Sequence, residues 1–143
     1  MQIVKNLILI IFLVVSVSCS AEPPQSDFQP FWNKFRAASL ANDYPALAAL
    51  TKFPLEVKGV DDSVPVKKYQ KEQLNTIFPK LMSQPVFLPK DNDVVETNLR
   101  DVLTKTEKVE YKTTDKEIRV EQFQFQFQLI NGKWLLVRAY LEE

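Results

Sequence analysis

The dipeptide Asn131-Gly132 lies between two runs of period-two hydrophobicity, "EQFQFQFQLI" before it and "KWLLVRAYL" after it. A type I′ turn needs positive φ at both central residues, and Asn-Gly meets that need at little steric cost, so the pair predicts a two-residue β-hairpin. With Asn131 and Gly132 at the corner, Ile130 pairs with Lys133, Leu129 with Trp134 and Phe127 with Leu136. Continued without interruption, Phe125 faces Arg138 and Phe123 faces Tyr140. One face then carries Phe123, Phe125, Phe127, Leu129, Trp134, Leu136 and Tyr140, with Arg138 among them. This aromatic face is assigned to the core, because side chains alternate strictly across a strand.

The opposite face sets Gln122, Gln124, Gln126 and Gln128 against Leu141, Ala139, Val137 and Leu135. Amides beside aliphatics fit either a surface covered by a protein partner or a second copy, or a solvated sheet face. Arg138 is the leading site candidate. A guanidinium pointing into rings must be paired, stacked or wet, since an unpaired buried charge is very costly. Either it anchors a pocket for an anionic ligand, or it stacks on Phe125 or Tyr140 with its tip in solvent or paired with an acid. A bulge would move it to the outer face.

Upstream, the pattern changes to helical. In "SDFQPFWNKFRAASLAND" the residues Phe28, Phe31, Trp32, Phe35 and Ala38 form one apolar stripe, with Ser26 and Gln29 fitting a capping box. Trp32 is kept as a ligand-contact candidate, although such a stripe is most often core. Asp43 as N-cap and Pro45 in the first turn open a second helix, which Pro54 closes. Leu55 and Val57 alternate as a short strand, and Pro65 confines "VPVKKY" to a sheet edge. "KEQLNTIFPKLM" predicts a third helix, kinked or ended at Pro79. Residues 83–93, with two prolines, are expected to be a loop. Residues 94–104 fit a helix weakly, with a strand through Val94 also open. "KVEYKT" and "EIRVEQFQFQFQLI" read as strands flanking the turn "TDK". The elements together describe one α+β domain, with N-terminal helices packed on an antiparallel sheet.

The chain's first residues follow another logic. "MQIVKNLILIIFLVVSVSCSAEPPQ" has one cation, Lys5, then an apolar run, then small residues. That is the pattern of a secretory signal, and the run is shorter than the ~20 residues of a spanning helix. The segment "VVSVSC" resembles the lipobox of bacterial lipoproteins, with Cys19, the chain's one cysteine, as the residue that receives a diacylglycerol. The expected division is residues 1–18 as signal, 19–26 as lipidated tether and 27–143 as the domain. The resemblance implies a membrane partner through the anchor on Cys19 and, with Ser20 following, delivery to the outer membrane facing the periplasm. Cleavage after Ala21, leaving a soluble periplasmic protein, is the competing reading.

Composition narrows the chemistry. The chain has 18 basic and 18 acidic residues and no histidine. Losing Lys5 with the signal leaves one more acid than base, which argues against a nucleic-acid partner. Without histidine, Ser-His triads, most catalytic zinc sites and imidazole relays are excluded. No phosphate loop or dinucleotide fingerprint occurs, so no cofactor is expected. Asp61-Asp62 and the pair Asp91 and Asp93 read as solvated turns rather than as metal sites.

The order of elements, the "FWNKFRAASLANDYPALAAL" opening and the closing "GKWLLVRAYL" resemble the nuclear transport factor two-like superfamily over about residues 27–141. The resemblance implies a curved, cone-like sheet wrapping a helix, with a mouth that can hold a ligand. Tyr111 and Tyr140 would then be polar tips beside Arg138. That superfamily includes ketosteroid isomerase, but none of its catalytic positions can be matched in this sequence. Three functions remain open: a non-enzymatic envelope lipoprotein that binds a ligand or protein, an inhibitor or immunity-type partner of a secreted enzyme, and an acid-base isomerase or dehydratase.

Overall fold

The computed structural model describes residues 27–59, 61–120 and 124–142. The expected signal, tether and Ser26 cap therefore lie outside the described residues, as do Glu121, Gln122 and Phe123. Helix α1 (Phe28–Ala41) is capped by Asp27, which accepts a hydrogen bond from the Gln29 amide. Asp43 caps α2 (Tyr44–Ala49) by accepting from the Ala46 amide at 3.0 Å, with Pro45 in the first turn as expected. Then follow β1 (Thr51–Lys58), β2 (Lys67–Tyr69), α3 (Leu74–Ser83), β3 (Pro85–Lys90), β4 (Asp93–Asn98), α4 (Leu99–Lys105), β5 (Glu117–Val120), β6 (Phe125–Ile130) and β7 (Lys133–Tyr140).

The main sheet has the order β2-β1-β7-β6-β5. Its central strand β7 runs antiparallel to β6 but parallel to β1, so the sheet is mixed rather than wholly antiparallel. The hairpin corner is the expected one. Asn131 and Gly132 have φ of 51° and 76°, and the pairs Ile130–Lys133, Leu129–Trp134 and Phe127–Leu136 all form. β2 takes an edge position, which suits a strand preceded by Pro65.

Helix α1 lies on the inner face. Phe28, Trp32 and Phe35 recur every three or four residues and meet the sheet rings, with Phe127 5.4 Å from Phe28 and 5.1 Å from Phe35 between centroids. Most of these pairs are tilted or edge-to-face, the arrangement favoured by the ring quadrupole. Phe28, Trp32, Phe35, Phe125 and Phe127 are fully buried.

Two arginines lock α1 to α4. Arg36 donates through Nε to Leu103 O at 2.8 Å and through Nη2 to Thr104 O, at the end of α4. Arg100, near the start of α4, donates to Leu40 O at 2.9 Å and to Asn42 Oδ1 at 2.6 Å, at the end of α1. Each cation thus satisfies carbonyls at the negative end of the other helix. Buried Gln84 joins the helical layer to the sheet: its Nε2 donates to Tyr140 O at 3.0 Å, and its Oε1 accepts from the Glu142 amide.

Several expectations fail here for identifiable reasons. Residues 85–90 form a strand, not a loop, paired with β4 in a separate two-stranded ribbon. Each ribbon strand has one unpaired edge, so the missing N–H groups of Pro85 and Pro89 are tolerated. Residues 94–98 belong to β4 and 99–105 to α4, so both readings of that stretch hold in part. Pro79 sits inside α3, which continues to Ser83. "KVEYKT" is not a strand. The long run from Glu117 to Ile130 is two strands folded on each other, with Gln124 left-handed at φ 55°.

Replacing Phe127 by Ala should destabilise the fold by about 3–5 kcal/mol, the usual range for an aromatic truncated in a core. Gln84→Leu should cost about 1–3 kcal/mol, since it strands the Tyr140 carbonyl and the Glu142 amide. Urea denaturation measures both, and an unchanged midpoint for either variant contradicts the packing described.

Candidate site on the outer face of the sheet

The hairpin register slips once. Phe127 pairs with Leu136, but the preceding Gln126 pairs with Arg138, so Val137 is an extra residue. This bulge breaks the alternation of β7. Val137 and Arg138 both leave the inner face, and Ala139 returns to the core fully buried. Arg138 therefore does not sit among the rings, and Phe125 pairs with Ala139 instead. Tyr140 likewise faces outward. A second irregularity, in β1 between Thr51 and Glu56, accommodates Pro54 and brings Glu56 opposite Arg138.

One row now crosses all five strands: Lys68, Glu56, Arg138, Gln126 and Arg119 are successive register partners. Arg138 donates from Nε to Glu56 Oε2 at 3.0 Å, and its Nη2 donates to the same oxygen. Each partner keeps about a third of its side chain exposed. That hydrogen bond, aided by the charges of Arg138, Lys68 and Lys52 and opposed by partial burial, holds the Glu56 carboxyl below its ordinary value. The same bond raises the Arg138 guanidinium. Arg119 lies over the Tyr140 ring at 4.6 Å, a cation–π contact. Gln128 donates to Glu117 Oε2 at 2.8 Å across the β5–β6 pair.

Lys52, Pro54, Glu56, Gln126, Gln128, Val137 and Arg138 line a notch of about 170 Å³ on this face. Small-molecule pockets are about 300 Å³ or larger, so the notch is on the scale of a single inserted side chain. The face as a whole is electropositive. Lys52, Lys68, Arg119 and Arg138 stand against Glu56 and Glu117, and Lys58 is paired with Asp62 at the neighbouring turn.

The other two candidates lie elsewhere. Trp32 is fully buried under α1, and its Nε1 donates to Thr106 O at 3.3 Å. Tyr111 packs on Phe28 at 5.6 Å, and its hydroxyl donates to Asp27 Oδ1. That bond to a carboxylate is the main reason the phenol is raised above its ordinary value. Arg138 and Tyr140 thus share the outer face, while Trp32 and Tyr111 belong to the aromatic interior and the start of α1. The inner side of the sheet is filled by rings. Among the described residues the buried polar side chains are Ser39, Thr51 and Gln84, and no carboxylate is buried. Also among the described residues, no cluster of acids has the makings of a metal site. Asp61 instead accepts from the Ser63 amide at 2.8 Å, which lowers its carboxyl.

Sequence reasoning missed Lys52, Glu56, Lys68 and Arg119 as members of this face. The parallel β1–β7 pairing assembles them, and no local pattern signals it. The structure defines a single α+β domain with a closed aromatic core and a basic, amide-rich outer sheet face. Comparison with family models, curated proteins and solved structures found no match to this chain.

The lowered Glu56 carboxyl has a pH consequence. Its folded value lies below its unfolded one, so its contribution to stability is complete above the ordinary carboxylate range near 4.5 and is lost as pH falls through the folded value. Glu56→Gln should therefore flatten the acid limb of the stability curve, measured by thermal melts across pH 3 to 7. An acid limb identical to the parent's contradicts the pairing.

Proposed function

We propose that this chain is a non-enzymatic lipoprotein of the bacterial cell envelope, held at the outer membrane by an acylated Cys19 and facing the periplasm, whose nuclear transport factor two-like domain docks a protein on its outer sheet face. The observation that carries the docking reading is the division of the molecule. Its inner side is filled by Phe28, Trp32, Phe35, Phe125 and Phe127, whereas its outer side presents a polar row and a small notch. Rings stand where a cone of that kind would hold its ligand, and an acid-base isomerase would need a buried carboxylate, of which there is none among the described residues.

The order of helices, sheet and terminal hairpin supports the superfamily reading, since α1 is cradled by the sheet. Among the described residues no helix is long and apolar enough to cross a membrane, so membrane attachment rests on the segment before residue 27. An acyl anchor suits that arrangement: acyl chains contribute ~0.8 kcal/mol per buried CH₂, and two or more hold a domain stably. Half-buried Gln126 and Gln128 beside Val137 suit a partner surface better than a row of like charges would.

Cys19→Ala should move the protein from the membrane fraction to the soluble periplasmic fraction, and unchanged partitioning contradicts the anchor. A photo-crosslinking residue at Gln128 should capture a defined protein in intact cells. The same probe at Lys34, on the helical side, should not. Equal capture from both positions removes the docking face. A captured secreted enzyme would identify the immunity-type version of this function.

A further inference from the structure

Five large hydrophobic side chains are exposed among the described residues, and three of them, Phe87 at 57%, Val94 at 61% and Val95 at 43%, lie on the β3–β4 ribbon. The ribbon pairs Phe87 with Glu96 and Pro89 with Val94, so one of its faces is an apolar centre with an acid beside it. Asp91 and Asp93 stand at its tip, where Lys90 is the only cation. A two-stranded ribbon is marginal on its own in water, and this one also leaves the outer edges of both strands without main-chain partners in its sheet. Exposed apolar surface of this kind, rimmed by charge, marks an interaction element.

Its complement is on the same molecule. The outer sheet face offers a largely polar notch with Pro54 and Val137 in its wall, rimmed by Lys52, Arg138 and, further out, Lys68 and Arg119. Without the signal the chain carries one more acid than base, although these two surfaces have opposite signs. A protein so close to neutral has little long-range repulsion between copies, and opposed patches then steer them together.

We propose that the occupant of the outer sheet face is the β3–β4 ribbon of a second copy of this chain, with Phe87 and Val94 over Pro54 and Val137, Glu96 of the same ribbon face against the basic rim, and the acidic tip of Asp91 and Asp93 at its edge. This inference rests on the docking role assigned to that face above and names its partner. The contact is head-to-tail, since it joins two different patches, and successive copies tethered to one membrane can extend it laterally.

Sedimentation equilibrium of the full-length protein in density-matched non-ionic detergent tests the idea. The parent should self-associate reversibly, and more weakly at high salt. The triple change Lys52→Glu, Lys68→Glu, Arg119→Glu and the double change Asp93→Lys, Glu96→Lys should each weaken self-association at least about tenfold, as loss of charge complementarity does elsewhere. Mixing the two variants should restore association, because an acidic sheet face then meets a basic ribbon. Phe87→Ser should weaken association without a shift in melting temperature, which separates the contact from folding. A parent that stays monomeric, assembly indifferent to both charge swaps, or a mixture that fails to recover overturns the proposal. A monomeric parent whose Gln128 probe still captures another protein leaves the docking face standing and removes only the second copy.

Discussion

Phe127 packs with Phe28, Phe31, Trp32, Phe35 and Phe125, all at ring centroid distances between 5.1 and 6.2 Å. These contacts bring the first helix and the penultimate strand together across nearly a hundred residues of chain. Each such ring pair contributes about 0.5–1.5 kcal/mol beyond the area it buries. With no disulfide available to the domain, this cluster is what orders the layers. It fixes which side of the sheet is inner, and with it which side chains are left to face outward.

The bulge at Val137 is the hinge between stability and function. Strict alternation would drive Arg138 into the rings, where its charge would need a buried partner. One inserted residue turns it outward and lets Ala139 fill the vacated inner position. On the outside Arg138 meets Glu56, delivered by the parallel strand β1, and the pair is partly solvated rather than buried. Its contribution to stability is correspondingly small. Its contribution to the shape and charge of the notch is larger, because it holds a guanidinium beside Gln126 with one carboxylate oxygen already engaged.

What could be read in the sequence was whatever is local. Asn131-Gly132 has one favourable backbone solution, Asp43 and Pro45 make a helix start, and the Phe28–Trp32–Phe35 stripe has helical spacing. The α+β class follows from these. Features that depend on partners distant in sequence were not legible. The parallel β1–β7 pair joins strands some eighty residues apart. The bulge is legible only as one option for Arg138, because a run that alternates so evenly does not mark where an extra residue falls. Prolines at 85 and 89 read locally as a loop, because nothing near them in sequence shows that their strand has a free edge. Gln84 carries no pattern at all, yet it secures the C-terminal strand. The site was half legible: Arg138 was visible as an anomaly, but its companions Glu56, Lys52 and Lys68 are ordinary strand residues until the sheet assembles them.

Strand β7 breaks its alternation at Val137, which keeps the core closed and faces Arg138 outward. Single cysteines placed at positions 137, 138 and 139 in a Cys19→Ser background measure this directly, by comparing thiol labelling rates of native and unfolded protein. Positions 137 and 138 should both label readily in the native state while 139 is protected. Protection at 138 with ready labelling at 139 would be the signature of an unbroken strand and would rule the bulge out.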